Sequence, residues 1–350
     1  MKHIRACWWI VILIFVTSPV IPRDVEVRSP VILSGPGMVG TASVVFSPNG
    51  RYIATAPDGN GAFRLWDAKT LAVIKVLDAT PSALKYAIAF SPDSGLAAGG
   101  VGDEIVIWET ATGKQLKRFT GHKDARIYAL SFTPDGKSLV SAGCDTDPKM
   151  RGRVWNTADW TLRYGLWYDF NYPCLRTLAI SPDGRHVLLG GGSDGAGDHP
   201  ALKYDIATGA KAGEIIVTRK SEDFFNDAMI SGIYYSPDGS RVAAITQSFF
   251  KIFDAASGKE LTRINAEKKI GHSFRYACFS PDSKSIALLL RASSRDWRIF
   301  IVYARNGGII RTFTASAGDK RYYYNLSFTH DGKYLALVGT RDTIDFYRWD

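Results

Sequence analysis

Residues able to do chemistry are few and scattered in this 350-residue chain. His122 and His272 each follow a glycine, His186 borders a turn and His330 stands inside one, and none has a partner at metal-ligand spacing. No nucleophile elbow, phosphate-cradling loop, zinc spacing or haem spacing occurs. The glycine-rich stretch from Gly190 to His199 contributes Asp194 and Asp198, which suit a hard cation, but it lacks the register of a calcium loop. A plain long loop is the expectation there, and neither a metal nor a cofactor is expected. Cys144 and Cys174 would close and open strands that point to one face on neighbouring repeats. A disulfide between them and two separate buried thiols are both open, with thiols the simpler expectation.

The first residues read differently from the rest. Lys2 and Arg5 precede an uncharged apolar run from Ala6 to Val16, with Pro19 and Pro22 close behind, which is the order of a signal peptide. The run is short for a bilayer span. Residues 1–23 are therefore expected to be a signal peptide or an N-terminal membrane anchor, and residues 24–350 a single domain. That domain would be periplasmic, extracellular or tethered outward through residues 6–21. No clean small-residue cleavage site is visible, so cleavage and retention are both open. Without Cys7 an odd number of cysteines is left, which cannot make a complete disulfide framework.

One turn recurs along the rest of the chain. It reads F-S-P-N-G from Phe46, F-S-P-D-S from Phe90, F-T-P-D-G from Phe132 and I-S-P-D-G from Ile180. It continues as Y-S-P-D-G from Tyr235, F-S-P-D-S from Phe279 and F-T-H-D-G from Phe328. Spacings run from 42 to 55 residues, which suits a four-stranded propeller blade with loop insertions. In each copy Pro pre-sets φ, Asp or Asn bonds nearby backbone, and Gly accepts a positive φ. Apolar strands flank the turn, a third strand ends on Trp66, Trp108, Trp155, Tyr204, Phe253, Tyr303 or Tyr347, and a fourth follows. The 9 Trp, 16 Tyr and 18 Phe favour the same β-rich reading. The seventh copy has three strands, while Val25 to Leu33 has no unit of its own. The expected fold is thus all-β: a seven-bladed propeller of four-stranded antiparallel blades. The N-terminal strand completes the last blade and removes an open sheet edge.

These repeats resemble the WD-repeat family, G-beta type, in the form of a degenerate, bacterial-type exported member. Trp66-Asp67 is the namesake dipeptide, and the fullest copy is the third, with Gly121-His122, Ser141, Asp145 and Trp155. The resemblance implies that His122, Ser141, Asp145 and Trp155 form a structural hydrogen-bonded set within one blade. Gly271-His272 offers a partial second copy, with Tyr303 in place of Trp.

Calling the strands of a blade a to d from the axis outward, the b–c and d–a connections emerge on one face and the a–b and c–d turns on the other. The first set varies in length, as functional loops do. It also holds the aromatic and cationic residues that interfaces favour: Arg151, Arg153, Trp167, Tyr168, Phe224, Phe225, Arg321, Tyr322 and Tyr323. The formal charge of +9 does not form a single-sign stripe, because Asp145, Asp147, Asp169, Glu222, Asp223 and Asp319 share these loops. Nucleic acid is not expected as a partner. The expected function is a non-catalytic scaffold, a monomeric domain binding a protein or peptide through the loop face. The alternative is a propeller enzyme, lactonase-like or a dehydrogenase subunit, acting at the central channel.

Overall fold

Each described copy of the turn joins the first two strands of a four-stranded antiparallel sheet in the computed structural model. The structure describes residues 31–32, 41–57, 62–70, 72–78, 87–123, 125–145, 147–168, 174–192, 198–218, 229–266, 273–293, 296–316, 323–328, 332–339 and 343–349. Strand β1 (Val31–Ile32) is followed by blade one, β2 (Thr41–Phe46), β3 (Tyr52–Pro57), β4 (Phe63–Asp67) and β5 (Val73–Asp78). Blade two runs from β6 (Ile88–Phe90) to β9 (Gln115–Thr120). Blade three comprises β10 (Ile127–Phe132), β11 (Ser138–Gly143), β12 (Gly152–Asn156) and β13 (Leu162–Leu166). Blades four, five and six begin with β14 (Leu175–Ile180), β18 (Gly232–Tyr235) and β22 (Ser273–Phe279). Blade seven is β26 (Tyr323–Phe328), β27 (Tyr334–Gly339) and β28 (Thr343–Arg348), completed on its outer side by β1. Val31 pairs with Ile344 and Ile32 with Thr343, so the N-terminal strand closes the ring.

The first strands of the seven sheets touch in sequence, with β26 meeting β2 again, and so encircle the axis. Alternation along a strand sends successive side chains to opposite faces, and here both faces are covered by neighbouring blades. Leu139 and Trp155 pack toward blade two against Ile105 and Ile107, while Val140 and Val154 pack toward blade four against Val187 and Leu189. Every residue of β11 is buried for this reason, whereas outermost β9 is largely exposed.

The a–b turns form a locked inner rim. In six described copies the Ser or Thr hydroxyl donates to the Asn or Asp two residues on at 2.5–2.8 Å. The last turn residue has positive φ throughout, including Ser94 and Ser283 at 62°. Adjacent turns also meet: the backbone N–H of Asn49 donates to Ser94 Oγ at 3.1 Å and that of Asp238 to Ser283 Oγ at 3.0 Å. Gly184, at φ 73°, lies so close to the preceding blade that an added Cβ would sit 3.3 Å from Pro134. These contacts occupy the turns with fold maintenance.

One aromatic slot was misread from sequence. Tyr303 pairs with Ser285 and its N–H bonds Gly308 O, as Asp67 pairs with Tyr52 and bonds Ala72 O. The slot of Trp66 and Trp155 is therefore filled in blade six by buried Val302, and Tyr303 is exposed with Arg305 stacked over its ring.

Candidate functional site

Blade three holds a buried polar cluster. Trp155 Nε1–H donates to Ser141 Oγ at 2.9 Å, and Ser141 Oγ lies 2.8 Å from His122 Nε2. His122 Nδ1 meets Asp145 Oδ2, and Arg153 forks onto both Asp145 oxygens at 3.0 and 3.1 Å. Strands β11 and β12 position Ser141, Arg153 and Trp155, since Ser141 pairs with Arg153 across the ladder. Burial is the largest influence on His122 and lowers its pKa; the Asp145 hydrogen bond opposes this, and the Arg153 charge adds to the lowering. A neutral imidazole must then donate from Nδ1 to Asp145 and accept the Ser141 hydroxyl proton at Nε2.

A Ser–His–Asp relay is a familiar nucleophile arrangement, yet the geometry here serves cohesion. Ser141 and His122 have no exposed surface, and the serine oxygen already accepts from an indole. An attacking atom needs room for a substrate carbon about 3–3.5 Å away, which this packing does not leave. The indole of blade one uses the same principle with a different hydroxyl, Trp66 Nε1 donating to Thr55 at 3.0 Å. In blade two Gly99 occupies the corresponding position, and Trp108 Nε1 has no hydrogen-bond partner among the described residues.

The expected binding residues separate into three groups. Arg151, Arg153, Tyr168 and Tyr323 are 6%, 6%, 2% and 3% exposed, which corrects their expected place on the surface. The physical reason is that loop polar groups and carboxylates needed partners. Arg151 donates to the backbone oxygens of Asp145 and Tyr168, and Arg153 is consumed by Asp145 and Gly121 O. Tyr168 fills the layer between blades three and four, and Tyr323 the layer between six and seven, where it meets Trp297 edge-on. Trp167 is the exception, at 55% exposure. Phe224, Phe225, Arg321 and Tyr322 lie outside the described residues, as does the whole of residues 1–30.

Cys144 and Cys174 form a disulfide across 30 residues, which corrects the simpler expectation of two thiols. It joins the b–c connection of blade three to the first residue ahead of β14. Cys278 is a free thiol whose pKa burial pushes up to about 12. Among the described residues no group of three His, Cys, Asp or Glu could hold a metal. Asp198 and His199 of the glycine-rich loop are described, with His199 buried, while Asp194 is outside the described residues. No helix among the described residues is long and apolar enough to cross a membrane.

The model for the WD domain, G-beta repeat, matches residues 32–67 and 113–149. These two segments read as WD repeats of the G-beta type. It is 24% identical over 332 residues to Periodic tryptophan protein 2 of Arabidopsis thaliana, covering 87% of this chain and 33% of that protein. Protein hir1 of Schizosaccharomyces pombe is 27% identical over 168 residues, 41% of this chain and 17% of hir1. Transcription initiation factor TFIID subunit 5 of Caenorhabditis elegans is 32% identical over 115 residues, 33% of this chain and 17% of the subunit. The chain thus spans a third or less of the length of these relatives. The beta-propeller domain of Myceliophteria thermophila Cps50 (Swd1) superposes with a TM-score of 0.71 at 14% identity, over 92% of this chain and 99% of that domain, a likeness of fold. The relatives are eukaryotic, and the bacterial-type, exported character expected of these WD repeats finds no support in them.

Proposed function

We propose that this WD-repeat propeller is a non-catalytic scaffold holding a protein or peptide partner on the face where the b–c and d–a connections emerge. The observation that carries the reading is Trp167. Its indole is 55% exposed while its backbone is fastened on both sides: Trp167 O accepts from the Tyr204 hydroxyl, and the next carbonyl, of Tyr168, accepts from Arg151. A large aromatic held rigid before binding loses little conformational entropy on docking, which is what interface anchors require. The opposite face supports the assignment by contrast, since its a–b turns spend their polar groups on one another. One matched relative is named as a transcription initiation factor subunit, which is in keeping with an assembling role.

An oxidising compartment, reached through the apolar leader, is part of the proposal. A disulfide persists outside the reducing cytosol, and Cys144–Cys174 supports that placement. The test is a pull-down with the full chain from extracts of its own cells, comparing wild type with Trp167→Ala. A partner retained by the first and lost by the second supports the reading, provided both melt at the same temperature. Equal retention would remove Trp167 from the interface, and the absence of any specific protein would count against the scaffold itself.

A further inference from the structure

The c–d turn of blade six departs from its counterparts. In blades one, two, four and five the residue in the place of Tyr303 is Asp67, Glu109, Asp205 or Asp254, and its carboxylate accepts from the hydroxyl three residues on at 2.5–2.9 Å. Such a turn closes on itself. Blade six has Tyr303 there instead, 42% exposed, with the Arg305 guanidinium 5.2 Å from its ring centroid. The outer strand that follows, β25 (Ile309–Ser316), opens with Ile309 and Ile310, 60% and 37% exposed, and then the exposed Arg311. Neither Arg305 nor Arg311 is in an ion pair among the described residues. The acid of the a–b turn of the same blade, Asp282, is taken up by Ser280 and Lys284.

Contacts place this patch beside blade seven. Arg311 pairs with Ile301, which packs in the layer between blades six and seven, so the two share that face. The Arg311 guanidinium lies 5.8 Å from the centroid of Phe313, and the Phe313 ring meets Tyr347 of β28 at 6.1 Å. Strand β28 is the one on which β1 closes the ring. On the other side of blade seven, β5 of blade one exposes Val76 at 44%. Lys75 before it packs toward blade two, where a Cβ added at Gly113 would lie 2.6 Å from Lys75 Cγ, so Val76 turns toward blade seven. Of the nine large apolar side chains exposed among the described residues, five belong to these two blades: Ile74, Val76, Tyr303, Ile309 and Ile310. They flank β1, and from β1 the chain runs back to the apolar stretch Ala6 to Val16 behind Lys2 and Arg5.

We propose that the propeller stands edge-on against an anionic bilayer surface, with Tyr303, Arg305, Ile309, Ile310 and Arg311 of blade six as the contact and the leader, retained, as a companion tether. The apolar stretch is short for a bilayer span, and stable anchoring by weakly inserting groups takes a second signal. Aliphatic and aromatic side chains beside arginines that no carboxylate answers supply one: the apolar groups enter the acyl boundary and the guanidiniums meet lipid phosphates. Ring order then puts the connection that carries Trp167, between blades three and four, on the side away from the bilayer. The surface is thus separate from the one proposed for the partner, and the two can be occupied together.

The test attaches an environment-sensitive nitrobenzoxadiazole label to Ile310→Cys in the full chain, in a Cys7→Ser background whose own labelling serves as the blank. The chain is reconstituted into vesicles of phosphatidylcholine alone or mixed with phosphatidylglycerol, each also prepared with brominated acyl chains as quencher. The expected result is a blue shift and quenching at position 310 in the mixed vesicles only, and neither for Leu162→Cys, a site 40% exposed on blade three. Arg305→Gln with Arg311→Gln should abolish the shift. Lys137→Gln with Arg185→Gln, which removes the same charge from the a–b turns of blades three and four, should leave it unchanged. Val76→Cys reports the same edge from blade one, so that misfolding of one labelled variant leaves the other to decide. An unshifted label at both 310 and 76, the same shift at 162, or equal losses in the two charge variants would overturn the proposal. A shift seen in both kinds of vesicle that grows with protein density would also overturn it and give the edge to a second copy of the chain. Partner capture through Trp167 is read in its own experiment, so either reading can fail without the other.

Discussion

Trp167 and Tyr168 are consecutive residues that face opposite ways: the indole stands 55% exposed, and the phenol beside it is 2% exposed in the layer between blades three and four. The two substitutions should therefore separate binding from folding. Trp167→Ala is expected to abolish partner capture with the melting temperature unchanged. Tyr168→Ala should cost about 3–5 kcal/mol, as aromatic truncations in packed cores do, measured by denaturant unfolding. Loss of stability in the tryptophan variant would show that its indole packs rather than presents.

Ser141 is the hinge of the blade-three network. Ser141→Ala leaves both the Trp155 indole N–H and His122 Nε2 buried without their partner. At roughly 1–3 kcal/mol for each stranded group, a loss of about 2–6 kcal/mol is expected. A double-mutant cycle with Trp155→Phe should be strongly non-additive, since both changes break the same bond.

His122 sets a pH limb. Its folded pKa lies below the ordinary value of 6.5, with burial as the chief cause, so the unfolded chain takes up the proton first. Stability is then full above that value and falls as pH drops from it toward the depressed folded one. Melting curves between pH 7.5 and about 5 should show this decline in wild type and lose it in His122→Gln, whose baseline stability will be lower.

A second limb arises at the a–b turns. Hydroxyl donation from Ser91, Thr133 and Ser181 holds the carboxyls of Asp93, Asp135 and Asp183 below their ordinary range. Their contribution is complete above about pH 4 and is lost as pH falls through the depressed folded values. Replacing all three by Asn should flatten the acid side of a stability-against-pH curve below about pH 4 and leave the His122 limb intact.

The Cys144–Cys174 bridge closes a segment with a sequence separation of 30, for which chain entropy predicts about 3–4 kcal/mol. The Cys144→Ser, Cys174→Ser double variant should melt lower by the corresponding amount. Peptide mapping after alkylation of the unfolded, unreduced protein should leave both cysteines unlabelled and Cys278 labelled. Labelling of all three would mean the bridge does not form.

Residue order by itself determined the seven turns, the four strands around each and the closure of the last blade by an N-terminal strand. Those features are local: proline φ, a carboxylate bonding its own backbone and a positive φ are set within five residues, and alternation within a strand is set by its pleat. The set His122, Ser141, Asp145 and Trp155 was legible through its resemblance to a known repeat. What order alone did not decide was which loop side chains turn inward. Arg151, Arg153, Tyr168 and Tyr323 have the composition of a binding face, yet only Arg151 and Tyr168 lie on connections, while Arg153 is inside β12 and Tyr323 opens β26. Their direction depends on what the neighbouring blade leaves unfilled: an unpaired Asp145 carboxylate, orphan carbonyls of Tyr168 and Gly121, and apolar gaps between sheets. Those demands arise only when blades meet, so packing between blades decided that Arg153 is structural and Trp167 exposed. The same packing brought Cys144 within bonding reach of Cys174 and left Val302, not Tyr303, in the aromatic slot of blade six.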